Sequence, residues 1–121
     1  MGTNNRPAKV AEAVKREMGD LLIREIKDTR VKGVMISVTN VEVAGDLRHV
    51  TIFVSIFGND DLKKEAMKGL ESAKGFIRTE ISQRINLRFA PEIHFKLDTS
   101  FEKADKIFAL MNKINPEREI S

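Results

Sequence analysis

Nine basic side chains stand at spacings that could do chemistry: Lys9, Arg16, Lys27, Arg30 and Lys32, then Lys74, Arg78, Arg84 and Arg88. Lys and Arg neutralise phosphates and release counterions, which gives affinity for nucleic acid without choice of sequence. The bland reading is a solvated helix face, and the interleaved acids Asp20 and Glu80 keep it open. Catalysis has less to draw on. Cysteine is absent, which removes thiol nucleophiles, disulfides and every Cys-based metal site. His49 and His94 show no H-E-x-x-H spacing and no neighbouring Asp or Glu at ligand spacing. Both are expected to be structural or surface residues, with no metal site. Asp60 and Asp61 read as a helix cap beside a solvated turn. Gly69 and Gly75 fall within helical phase, so no phosphate-cradling loop exists and nucleotide hydrolysis is excluded. Base stacking is poorly served, because Trp and Tyr are absent and Phe53, Phe57 and Phe95 could all be core.

The hydrophobic pattern lays out the elements that would position these residues. Val10, Val14, Met18 and Leu21 follow the helix-start signals Asn4, Asn5 and Pro7, which predicts a helix to about Lys27. At about 100° per residue, Lys9, Arg16 and Lys27 fall roughly opposite the apolar stripe. From Val34 the period becomes two through Ile36 and Val38, and Val41 and Val43 are then out of phase. One extra residue near Thr39 and Asn40 accounts for this as a β-bulge. Ala44-Gly45-Asp46 supplies a turn before Val50, Ile52, Val54 and Ile56, which predicts an antiparallel hairpin. Ala66, Leu70, Ala73, Ile77, Ile81 and Ile85 keep helical phase across Gly75. Residues 62–86 therefore read as two helices nearly in line, with Ala73-Lys74-Gly75 the place where a bend costs least. After Pro91, Ile93, Phe95 and Leu97 alternate as a third strand. Thr99-Ser100-Phe101-Glu102 is a capping-box pattern before an amphipathic helix with Ile107, Leu110, Met111 and Ile114, stopped by Pro116. The order α-β-β-α-α-β-α predicts one α+β domain, a three-stranded sheet packed with helices.

Bulk composition agrees. The chain has 121 residues and a net charge of +3, with 41% apolar and 32% charged side chains, as suits one globular domain. An ordered core of about residues 6–114 with short flexible ends is expected. With no apolar signal-like start and no long apolar run, a cytoplasmic location and no membrane contact are expected. The charge is sorted: residues 1–33 carry net +3, 34–61 net −3, 62–90 net +4 and 91–121 net −1. Both positive blocks are the helical ones.

Among RNA-binding modules, an RRM fails because His49 to Phe57 lacks its K/R-G-F/Y signature. A KH domain fits the element order better, yet its strand-clamping G-x-x-G loop is missing. The chain resembles the bacterial ribosome-binding factor A family in Arg24-Glu25-Ile26-Lys27-Asp28-x-Arg30, in Val41-Glu42-Val43 with Gly45-Asp46-Leu47, and in Ala73-Lys74-Gly75-Phe76-Ile77-Arg78. Leu87-Arg88, Pro91-Glu92-Ile93 and Asp98-x-Ser100 continue the likeness, which runs from about Arg6 to Ile114. The resemblance implies a KH-like fold of type II order in which an Ala-x-Gly interhelical kink replaces the G-x-x-G loop, here Ala73-Lys74-Gly75. It also implies a non-enzymatic, cofactor-free, monomeric assembly factor. Such a factor binds the free 30S subunit and 16S rRNA, promotes late maturation including the 5′ end, matters most in the cold and works alongside an assembly GTPase that acts in its release. Lys9, Arg16, Lys27, Arg30, Lys74, Arg78, Arg84 and Arg88 are then the expected rRNA contacts. Reversing Arg78 and Arg84 is expected to weaken subunit binding, and Gly75→Leu to disturb packing or binding. Thr29 departs from the family's usual Pro and is expected to loosen the turn after the first helix. The alternative is a protein-interaction module docking on a folded partner through Phe53, Phe57 and the C-terminal helix.

Overall fold

Val10, Val14, Met18 and Leu21 form the buried stripe of α1 (Arg6–Arg24), the first element of a computed structural model that describes residues 6–114. The expected helix signals Asn4 and Asn5, the stop at Pro116 and the flexible ends lie outside those residues. α1 stops three residues earlier than its periodicity predicts. The N–H groups of Glu25 and Ile26 both donate to the Leu21 carbonyl, at 3.0 and 3.1 Å, which closes the last turn and sends Ile26 into the core. Lys27 therefore belongs to the turn after the helix.

β1 (Ile36–Val43) and β2 (His49–Ile56) pair antiparallel, and their register shifts between Val38 and Asn40 where the bulge was predicted. β3 (Glu92–Leu97) pairs parallel with β2, giving the strand order β1-β2-β3. Between β2 and β3 run α2 (Asp60–Ser72) and α3 (Lys74–Ile85). Val50, Ile52, Val54 and Ile56 of β2 and Ile93 and Phe95 of β3 point into one core with the stripe of α1 and with Leu70, Ile77 and Ile81. Each fully buried Leu, Ile or Val contributes about 1.5–3 kcal/mol relative to leaving it exposed. The opposite face of the sheet carries His49, Thr51, Phe53 and Ser55 beside Glu92, His94 and Lys96, none of them buried.

Two local expectations are corrected and one is narrowed. The cap of α2 is Asn59, whose Oδ1 accepts the Leu62 N–H at 2.8 Å, while Asp60 and Asp61 lie in the first turn. The helix break falls on Ala73 alone (φ −87°, ψ 0°), and Lys74 and Gly75 already belong to α3. A Cβ at Gly75 would meet no atom within 4 Å, so packing around this glycine places no demand on it. The capping-box acid of α4 (Ser100–Ile114) is engaged elsewhere, since Glu102 pairs with Lys63, and Asp98 Oδ1 accepts the Ser100 N–H at 2.9 Å beside the helix start. The apolar stripe of α4 is also outside the core: Ile107, Leu110 and Met111 are 60%, 58% and 46% exposed. α1, α2 and α3 already fill the inner face of a sheet only three strands wide.

Candidate nucleic-acid interface

Chain entering and leaving α1's last turn meets the α2–α3 junction across a groove of about 760 Å³, lined by Arg24 to Asp28 on one side and by Ser72, Ala73 and Phe76 on the other. Its first wall is a stiff turn. The Val31 and Lys32 N–H groups donate to the Asp28 carbonyl at 3.0 and 2.8 Å, and the Arg30 N–H donates to Asp28 Oδ1 at 2.9 Å. The Arg30 guanidinium grips both oxygens of the same carboxylate, at 3.0 and 2.8 Å, and reaches Ser72 Oγ at 2.9 Å. Arg30's side chain and then its N–H hold the Asp28 carboxyl down at about 2. Thr29 thus sits in a turn closed by hydrogen bonds between its neighbours. The turn lies so near α2 that a Cβ on Gly69 would stand 2.7 Å from Val31 Cγ2 and 3.1 Å from Arg30 Cβ. Gly69 is what lets the two walls approach.

The eight predicted basic contacts separate into different environments. Lys27 is exposed on the groove wall and takes part in no ion pair among the described residues. Lys74 follows the break and pairs with Glu71 at 2.8 Å. Arg78 lies one turn further along the same face of α3, exposed, its guanidinium donating to the Ala90 carbonyl at 3.1 Å. Arg88 is exposed over the Phe89 ring, 5.5 Å from its centroid. Lys9 and Arg16 are exposed on the outer side of α1, with Arg16 3.6 Å from Glu17. Arg30 is committed to Asp28. Arg84 is committed most heavily: it lies between α1 and α3 with Asp20 at 2.8 Å, Glu25 at 2.9 Å, Glu17 at 3.3 Å and Glu80 at 3.4 Å. The Asp20 hydrogen bond, followed by those of its other acids, raises its already high pKa further.

The aromatic expectations divide similarly. Phe95 is core, Phe53 is half-buried on the open sheet face and Phe57 is 79% exposed. The aromatic ring that lines the groove, Phe76, was not among those candidates; it precedes buried Ile77 and so points outward, 44% exposed. Arg24 in the same groove was also missed, as the last residue of a helix predicted to run on. His49 and His94 lie at the surface as expected, exposed and half-buried, but an acid stands beside them. Strand register sets His49 opposite Glu92, and His94 stands 3.3 Å from His49.

The sequence profile of the family described as ribosome-binding factor A matches residues 6–111. The chain belongs to the ribosome-binding factor A family. A ribosome-binding factor A of Nostoc punctiforme is 48% identical over 118 residues, which is 98% of this chain and 85% of that protein. The Thermosynechococcus vestitus ribosome-binding factor A is 47% identical over 121 residues, covering 100% of this chain and 96% of that one. The fold matches the crystal structure of ribosome-binding factor A from Thermus thermophilus with a TM-score of 0.53 at 18% identity, over 75% of this chain and 90% of that one. A second Thermus thermophilus structure, a homology model of ribosome-binding factor A fitted into a cryo-EM map of a 30S complex, matches with a TM-score of 0.58 at 18% identity, over 80% and 96% of the two chains. Among the described residues no helix is long and apolar enough to cross a membrane.

Proposed function

We propose that this ribosome-binding factor A binds the free 30S subunit through 16S rRNA and promotes its late maturation, including that of the 5′ end. It acts in the cytoplasm as a monomer and by binding alone. One observation carries the reading: Lys27 stands without an ion pair among the described residues on the wall of the groove that exposes Phe76, and α3, which begins at the opposite wall, also carries the exposed Arg78. Phosphates would meet these side chains while Phe76 offers a face for an unstacked base. The Ala73 break then stands where a KH domain of type II order carries its strand-clamping loop. A Thermus thermophilus relative has been fitted into a 30S complex, which agrees with this choice of partner. Lys9, Arg16 and Arg88 extend the phosphate contacts, and Arg30 and Arg84 serve as scaffold. Release rests on the matured subunit or on an assembly GTPase. Sedimentation of the protein on a subunit gradient tests this: co-migration with free 30S particles and absence from translating ribosomes is the expected result, and no association with 30S particles refutes it.

A second reading has its own observation. The stripe Ile107, Leu110 and Met111 of α4, together with Phe57, is apolar and exposed, which suits docking on a folded protein. Binding to 30S particles that resists salt and nuclease would favour this reading over phosphate contact.

A further inference from the structure

The open face of the sheet carries a cluster used by neither the core nor the basic groove. His49 opens β2 in register with Glu92, the first residue of β3, and His94 follows two residues later on the same face. Parallel pairing therefore brings two imidazoles and a carboxylate together. The rings stack with centroids 5.5 Å apart at an interplanar angle of 20°. His49 Nδ1 lies 3.3 Å from His94 Nε2 and 3.6 Å from a Glu92 oxygen, and one ligand atom from each of the three residues lies within 4.8 Å of the others. A tetrahedral zinc ion bound at about 2.0–2.1 Å holds neighbouring ligand atoms about 3.3–3.4 Å apart. The separations present already approach that geometry. The backbone is fixed as well, since the Glu92 N–H donates to the Arg48 carbonyl at 2.8 Å.

We propose that His49, Glu92 and His94 form a zinc site with a fourth position open to solvent. Two neutral imidazoles and one carboxylate are a donor set suited to zinc, whereas magnesium prefers an all-oxygen octahedron and keeps its waters. His49 and Glu92 are exposed and His94 is half-buried, so the ion has a direct path in. A hydrogen bond between the two rings, with one of them donating, is the competing account of the same contact. It predicts no affinity for metal.

Calorimetric titration of the full, untagged chain with zinc chloride, and separately with magnesium chloride, distinguishes the two. Saturable binding of one zinc per chain is expected, weakened about tenfold or more by His94→Gln and by Glu92→Gln, with no magnesium isotherm. Neither substitution touches the core, and an unchanged melting temperature in the absence of zinc confirms that each variant is folded. Zinc binding that fails to saturate at one equivalent overturns the site, as does equal affinity in both variants or a magnesium isotherm matching that of zinc. The test needs no ribosome and stands apart from the proposed function.

Discussion

Arg78 and Arg84 lie six residues apart on α3, yet one donates to a single surface carbonyl and the other is enclosed by four carboxylates. The acids around Arg84 come from α1, from the turn after it and from α3 itself. They make the seam between the two helices an electrostatic joint. At the α2–α3 junction the groove is lined by two cations, Arg24 and Lys27, and by two acids already engaged elsewhere, Glu25 by Arg84 and Asp28 by Arg30. A phosphate arriving at Arg84 would have to displace acids already in place, whereas one arriving at Arg78 would not. Residue type alone makes these two arginines equivalent. Their neighbours from other elements do not.

The largest effect should come from breaking the junction itself. Gly69→Val puts a branched side chain where Val31 and Arg30 already stand, and overpacking of this kind costs about 1–3 kcal/mol. Denaturant unfolding should show that loss, together with weaker 30S binding because the groove wall moves. A variant as stable as the parent would mean that the turn and α2 are not held so close. Next in size is Arg84→Met. It leaves Glu17, Asp20, Glu25 and Glu80 facing one another, so the melting temperature should fall by several degrees, and by less in high salt. Its binding should keep the parent's dependence on salt. Arg78→Glu should do the reverse, leaving melting unchanged while weakening 30S binding and lowering the salt slope by about one phosphate contact. If Arg84→Met changed the slope and Arg78→Glu did not, the roles assigned to the two would be exchanged.

What could be read from the sequence was local. The stripe of α1, the bulge at Val38 to Asn40 and the alternation of β2 and β3 depend on spacing within one segment, and all appear in the structure. What escaped depends on contacts between segments. Four acids converge on Arg84 from three places, and His49 meets Glu92 and His94 only through parallel register. Periodicity also showed that α4 has an apolar face without showing that anything covers it. Phe76 was the near miss, since its outward direction follows from Ile77 and Ile81 pointing inward.

The stiff turn that walls the groove makes a smaller prediction. Because Arg30 favours the charged form of Asp28, the folded carboxyl titrates at about 2 instead of its ordinary 3.8. The turn's contribution to stability is therefore complete above about pH 4 and is lost as pH falls through about 2. Carboxyl-detected NMR should give that low midpoint for Asp28, and Arg30→Gln should return it toward 3.8. A normal midpoint in the parent protein would show that the Arg30 grip does not persist in solution.

The smallest effect belongs to Gly75. The family likeness marks this glycine as part of the kink, yet the chain leaves helical geometry at Ala73, and Gly75 already sits in the first turn of α3 with open space where a Cβ would go. Nothing in the backbone there requires a glycine, because its φ is not positive. Gly75→Ala should therefore be neutral or stabilising by up to about 1 kcal/mol, since alanine restricts the unfolded chain and favours the helix. Thermal unfolding measures this directly. If Gly75→Ala melts as the parent does but binds 30S particles less well, the glycine serves close approach of the partner, and the junction remains the binding face. If it unfolds the protein, the break extends past Ala73, and the junction is not the single-residue break described above.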